Sequence, residues 1–299
     1  MGILSEKELF RHLTRITHEV AIGNYDNVET IFELTKEADY PPEIAEMAES
    51  LGLMIVRIDA KQQQLERLIA DLSERKIELE QLASSLKDAN TGILEALGSA
   101  IAKRDSDTNA HNYRVTILAI HLGRALRLEF KELQRLVKGS FLHDLGKIAI
   151  SDSILLKPGK LTEEEFTIMK THVKHGIDII SSYQWLEDAC DVVNHHHEKF
   201  DGSGYPDKLS GNQIPVNARI FAVVDVFDAL ASVRPYKKAR TLDETLTEMS
   251  RDRGTHFDPE IFDTFIGIAP DLYSRVYYLD ELQLVTMLRE LMRDCFKEH

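Results

Sequence analysis

The sequence predicts an all-α protein. Apolar residues recur at helical spacing along nearly the whole chain, strand-like alternation is scarce, and one stretch carries a seven-residue apolar repeat over five intervals. Hydrophobic residues make up 43% of the 299, enough for a globular core. A chain of this length exceeds one typical domain, so a core domain with a smaller accessory region is expected.

Residues 1–57 read as a helical input or connector region with no chemical motif. His12 and His18 fall in an amphipathic stretch and read as surface or structural residues. Tyr40, Pro41, Pro42 and Glu43 break the first helical region and begin another, because Pro suits the first turn of a helix. From Ile58 the pattern sharpens. Ile58, Leu65, Leu72, Leu79, Leu86 and Ile93 fall seven apart, with Leu68, Leu82, Ala89 and Ala96 on a second seam that Lys61 and Arg75 interrupt. The flanks are charged and no Gly or Pro intervenes before Gly92, so residues 58–95 read as a coiled-coil dimerisation helix. The alternative is a long helix packed on its own domain. The coiled-coil reading expects a parallel homodimer whose seam runs into the first helix of a domain spanning residues 96–299. Tyr277 to Phe296 reads as a final amphipathic helix capping the core or the dimer.

Composition narrows the function classes. Cys190 and Cys295 are the sole cysteines and stand far apart, which excludes a disulfide framework or a thiolate metal site. A formal charge of −14 argues against a general nucleic-acid surface, so no DNA partner is expected. An anionic ligand remains compatible with this charge if bound cations and a few local Lys or Arg residues set the field at the site. No run approaches the roughly 18 apolar residues of a spanning helix. The opening residues are acidic and lack a signal-peptide core, so a cytoplasmic protein without membrane insertion is expected.

The chemistry concentrates at His143 and Asp144, followed by Asn194, His195, His196, His197 and Glu198, and then by residues Asp201 to Pro206. Adjacent His and Asp side chains can wrap a pair of metal ions through imidazole nitrogens and bridging carboxylate oxygens, and such sites hydrolyse their substrates. Asp107 lies four residues before His111, so on a helix the two share a face. His143 and Asp144 would diverge by about 100° on a helix, letting the imidazole take one ion while the carboxylate reaches between two. Lys147, one turn on, points into the same site and suits a phosphate oxygen better than a metal.

These residues and their neighbours carry a resemblance. From about Ala96 to Ala269 the chain resembles an HD-GYP domain of the HD phosphohydrolase superfamily. The motifs include His111 with Arg114, His143 through Ile148, Lys157 through Leu161, His172 with Gly176, His196 through Glu198, Gly204-Tyr205-Pro206, Asp225 through Leu230, Arg234 through Tyr236 and Gly254 through Pro259. The resemblance implies an HD-domain helical bundle, here preceded by the long coiled-coil helix and the small N-terminal helical region. It implies a metal-dependent phosphodiesterase that converts cyclic di-GMP to linear pGpG, in some members onward to GMP.

The metal ligands that the resemblance implies fall on His111, His143, Asp144, His172, His196, His197 and Asp225. Asp144 and Lys147 are the implied catalytic residues, and Lys147, Tyr205, Arg234 and Lys237 the implied substrate contacts. Tyr205, held by Pro206, offers an aromatic face for a guanine base. A His-rich, carboxylate-bridged set without sulfur suits iron or manganese. An acid at position 107 departs from many members and is similar to those holding three metals, so two or three ions are expected; the plainer role for Asp107 is a helix N-terminal acid. His175 and His195 fall where the family requires no ligand, His256 reads as a turn residue, and Asp228 as a residue that orients a ligand or Arg234. Two other functions stay open: a non-catalytic cyclic-dinucleotide receptor or adaptor, and a phosphodiesterase for another cyclic dinucleotide such as cyclic GMP-AMP. Upstream sensors or diguanylate cyclases are the further partners implied.

Overall fold

A computed structural model of the chain describes residues 6–25, 28–35, 40–104, 109–232 and 239–296. All regular elements among them are helices. The chain divides into two compact units, Met1–Lys87 and Asp88–His299.

In the first unit, α1 (Glu6–Ala21) and α2 (Val28–Glu33) precede α3 (Pro42–Arg104), which begins at the expected Pro42 and continues into the second unit. Leu9, Leu13, Ile16 and Val20 recur at three- and four-residue steps on α1, so one stripe of that helix is buried, with Ile31, Leu34, Ala48 and Ile55 in the same core. Along the central part of α3 the seam residues face solvent: Leu65 and Leu72 are 57% exposed and Leu79 66%.

The second unit is built around α4 (Asn109–Ala125), which has eleven buried residues among its seventeen and packs against α5 (Phe130–Leu142). A 3₁₀ turn at Leu145–Ala149 follows, then α6 (Asp152–Leu155), α7 (Glu163–Lys170) and α8 (His172–Ile180). A second 3₁₀ turn, Gln184–Ala189, leads into α9 (Cys190–His195), and a third, Gly211–Gln213, precedes α10 (Val216–Ala231). The unit closes with α11 (Leu242–Ser250), α12 (Pro259–Val276) and α13 (Glu281–Phe296). Helices α10, α12 and α13 complete the shell around α4.

The helix starts follow local chemistry. Thr162 with Glu165 and Thr241 with Glu244 form capping boxes at α7 and α11, and Asp258 caps α12 ahead of Pro259. One boundary differs from the sequence reading. The terminal helix starts at Glu281 rather than Tyr277, because Tyr277 still belongs to the C-cap of α12. Leu284, Leu288, Met292 and Cys295 of α13 are buried in the core.

Candidate metal centre

Two groups of potential ligand atoms converge: Asp144, His172, His196 and His197 in one, and His111, His143 and Asp225 in the other, each with its ligand atoms within 4.8 Å of one another. They come from α4, the end of α5, the start of α8, the end of α9 and the middle of α10. All seven side chains implied as ligands within the described residues therefore meet. Asp107, Arg234 and Lys237 lie outside the described residues.

The join between the groups is a helix end. The expected 100° separation of His143 and Asp144 presumes a continuous helix, but α5 stops at Leu142. His143 keeps helical dihedrals and Asp144 adopts φ −99°, ψ 9°, a sparsely populated region in which active-site residues recur. The 3₁₀ turn that follows lies against α8, and the approach is close: a Cβ on Gly146 would sit 1.7 Å from the His172 carbonyl oxygen. Lys147 thus reaches the site from this turn, not from a continued helix.

Asp144 faces both groups. Its Oδ2 lies 3.1 Å from His143 Nε2 and 2.7 Å from Lys147 Nζ, while Oδ1 lies 3.6 Å from His172 Nε2 and 4.0 Å from His196 Nε2. Burial alone would raise the pKa of this carboxyl, but the charge of Lys147 and the contact with His143 hold it well below the usual range. His143 shows the reciprocal effect: burial opposes its charge, the Asp144 carboxylate outweighs it, and the imidazole is raised to about 9. Burial depresses His172 and His196, and brings His197 down to about 3. Burial thus favours the neutral form of all three imidazoles, the form that binds metal.

The imidazole orientations fit metal binding. His143 Nδ1 donates to the Ser140 carbonyl at 2.8 Å, His172 Nδ1 to Met169 at 2.7 Å and His196 Nδ1 to Val192 at 3.1 Å. A carbonyl can only accept, so Nδ1 carries a proton in all three; Nε2 is the nitrogen left to face the centre in His172 and His196, while His143 must first give up the Nε2 proton that Asp144 favours. His111 is held by a carboxylate instead: its Nδ1 donates to Asp228 Oδ2 at 2.8 Å, with Nε2 3.5 Å from Asp225 Oδ1. An imidazole-rich, sulfur-free set with one carboxylate spanning two groups matches the chemistry of a two-metal site.

Asp228 is the largest refinement of the sequence reading. It is fully buried and accepts from Arg114 Nε at 2.5 Å, Arg114 Nη2 at 3.0 Å and the Tyr277 hydroxyl at 2.8 Å, besides His111. Burial would raise its pKa, yet the bonds from His111 and Arg114 hold it far below the ordinary carboxylate value. Asp228 thus orients a candidate ligand, as expected, and Arg114 is the arginine seen to anchor it. No local motif marks the positioning role of Tyr277. Arg114 offered one signal, a position one helical turn after His111.

One face of the Tyr205 ring is already occupied within the protein. The ring stacks on His197 at 4.7 Å between centroids and 30°, and Phe166 meets it edge-on at 6.2 Å. Gly204 permits this fold-back, since a Cβ there would lie 2.5 Å from Glu198 Cα. His195 turns to Asn194 and Asp207, and His256 stacks on Phe257 in its turn.

Comparison with known proteins agrees with this geometry. The HD domain profile matches residues 95–261. The chain belongs to the HD-domain family. Its His196-His197-Glu198 and Gly204-Tyr205-Pro206 motifs place it in the HD-GYP branch. The response regulator RpfG of Xanthomonas campestris, a cyclic di-GMP phosphodiesterase, is 42% identical over 209 residues, covering 68% of this chain and 55% of the relative. A 3'3'-cGAMP-specific phosphodiesterase of Vibrio cholerae is 38% identical over 64% of this chain and 38% of its own length. A cyclic di-GMP phosphodiesterase of Thermotoga maritima is 36% identical, over 66% of this chain and 55% of the relative. The chain thus spans about half the length of these relatives or less. Among the described residues no helix is long and apolar enough to cross a membrane.

Proposed function

We propose that the chain is a metal-dependent phosphodiesterase that opens cyclic di-GMP to linear pGpG. The observation that carries this reading is the placement of Asp144, with one oxygen toward each His group and Lys147 at 2.7 Å. His111, His143 and Asp225 would hold one ion and His172, His196 and His197 a second, with the Asp144 carboxylate between them. Bound ions supply a nucleophile near neutral pH by lowering the pKa of a coordinated water to about 7 from 15.7. The Lys147 ammonium, already in the site, donates to a phosphoryl oxygen as its charge develops. The Nδ1 partners of His111, His143, His172 and His196 hold those four imidazoles in one orientation.

Iron or manganese fits the donor set best. Asp107 is proposed as a ligand to a third ion, and Arg234 and Lys237 as contacts to the dinucleotide. Exposed seam leucines along α3 support a parallel coiled-coil dimer over residues 58–95, with residues 1–57 as the input to the catalytic domain at 96–299. The relative specific for 3'3'-cGAMP supports that dinucleotide as a second substrate.

The test is turnover of each cyclic dinucleotide by the full chain loaded anaerobically with iron or with manganese. His143→Ala and Asp144→Ala are expected to stay helical while losing bound metal and product formation. Wild-type turnover in either variant overturns the assignment, and nucleotide binding without turnover in the loaded wild type makes the protein a receptor.

A further inference from the structure

A groove of about 470 Å³ lies beside the centre, with Lys170, Lys174 and Ile177 on one side and Asn194, Pro206 and Asp207 among its other walls. None of these residues belongs to either His/Asp group. Each wall nevertheless adjoins one: Thr171 precedes His172, Asn194 lies two residues before His196, and the lining Tyr205 stacks on His197. The groove therefore adjoins the segments that carry His172, His196 and His197. The volume falls within the usual range for small-ligand sites, about 300–1,000 Å³.

Asp207 is fixed from two directions. Its backbone N–H donates at 2.7 Å to Glu198 Oε1, a carboxylate only 2% exposed. Asn194 Nδ2 donates to its Oδ2 at 3.2 Å, and His195 Nε2 lies 3.3 Å from the same oxygen. A carboxylate has about four acceptor positions, so Asp207 retains capacity for a ligand with two adjacent donors. Guanine presents such a pair in N1–H and N2–H. Adenine presents a donor beside the lone pair of N1, which a carboxylate repels. Ile177 and Pro206 supply apolar surface for a purine ring. Lys170 and Lys174 bring two cations to this groove in a chain whose net charge is −14. Lys170 Nζ rests 5.3 Å from the Phe166 ring centroid and 5.9 Å from that of Tyr205, a weak hold that a phosphate can displace.

We propose that this groove is a guanine-nucleotide subsite, in which Asp207 reads the base and Lys170 and Lys174 take the neighbouring phosphate. The assignment rests on the cyclic-dinucleotide reading above and deepens it by naming a residue that selects one purine over the other. A site built to pair with a ligand's donors rejects an analogue that lacks them, because its own polar groups are then left unpaired.

The experiment is calorimetric titration of the full chain with GMP and with AMP, neither of which contains a phosphodiester to hydrolyse. The wild type is expected to bind GMP at least ~10-fold more tightly than AMP. Asp207→Asn should bring that ratio to about one, since an amide offers a donor beside an acceptor. Lys174→Glu should weaken both nucleotides and leave the ratio unchanged. Removing metal with a chelator should lower both affinities and preserve the ratio, which separates base reading from phosphate binding at the ions. Equal affinity for GMP and AMP in the wild type overturns the proposal, as does an undiminished ratio in folded Asp207→Asn. If Asp207→Asn does not fold, Ile177→Trp replaces it: filling the groove should abolish GMP binding, and retained binding overturns the proposal. Absence of turnover on every cyclic dinucleotide, with the GMP preference intact, refutes the phosphodiesterase reading instead.

Discussion

Replacing Asp228 with Asn tests whether the candidate centre depends on the carboxylate behind it. The fully buried side chain accepts from His111, Arg114 and Tyr277. Arg114 keeps its charge at any accessible pH, so the variant leaves a guanidinium with 13% side-chain exposure facing a neutral amide. Breaking a buried pair from one side costs about 3–5 kcal/mol, and the residual exposure of Arg114 argues for the lower end, about 3 kcal/mol. A unit of this size loses roughly 2–4 °C of melting temperature per kcal/mol, so the metal-free variant should melt about 6–12 °C below the wild type. Loss of the partner that orients a ligating imidazole lowers metal affinity by about 10–100-fold. Tyr277→Phe grades the effect, because it removes one hydroxyl donor and keeps the ring: about 1.5 kcal/mol, the low end for a hydrogen bond to a charged group. Thermal unfolding of the metal-free chains and chelator competition for bound metal measure both quantities. Should Asp228→Asn melt within about 2 °C of the wild type and hold metal equally well, packing of α4 alone orients His111 and the argument from Asp228 is wrong.

Three further outcomes are expected. Gly146→Ala should cost at least about 1–3 kcal/mol and reduce bound metal, since its Cβ would lie 1.7 Å from the His172 carbonyl; wild-type melting and metal content would contradict that close approach. Asp107→Ala should remove about one ion per chain and leave the pair that a two-metal mechanism needs, as elemental analysis after anaerobic iron loading will show; equal content returns Asp107 to a helix-terminal role. Leu72→Glu with Leu79→Glu should convert a dimer to a monomer by mass in solution, because both leucines lie on the exposed seam; a monomeric wild type removes the coiled-coil reading.

The helical class is legible because its signal, apolar periodicity, is local, whereas the seven-residue ligand set follows only from the resemblance carried by the ordered motifs, and its division into two groups appears first in the structure. Two differences arise where a spacing rule presumes an unbroken helix. Helical spacing puts His143 and Asp144 on one helix, but a 3₁₀ turn follows Asp144, and it carries Gly146 up against the His172 carbonyl. Tyr277 fits the amphipathic pattern of the last helix, yet it is the C-cap of α12. Its hydroxyl instead meets Asp228, 49 residues earlier, through a contact that no local pattern encodes. At Tyr205 the fold-back at Gly204 lays one face of the ring on His197, a contact that the motif alone does not reveal.

The end of α5 explains how one dipeptide serves both groups. Had the helix continued, His143 and Asp144 would project about 100° apart along a common axis, and the short carboxylate would have little freedom to face two directions. Ending it lets His143 stay with His111 and Asp225 while Asp144 turns one oxygen toward His172 and His196. The same turn carries Lys147 back to Asp144, so the cation that holds this carboxylate ionised arrives by the same backbone change. A substitution at His172 or His197 therefore acts first on one group. A change in the backbone from residue 143 to 147 moves the residue shared between the groups, and should disturb both at once.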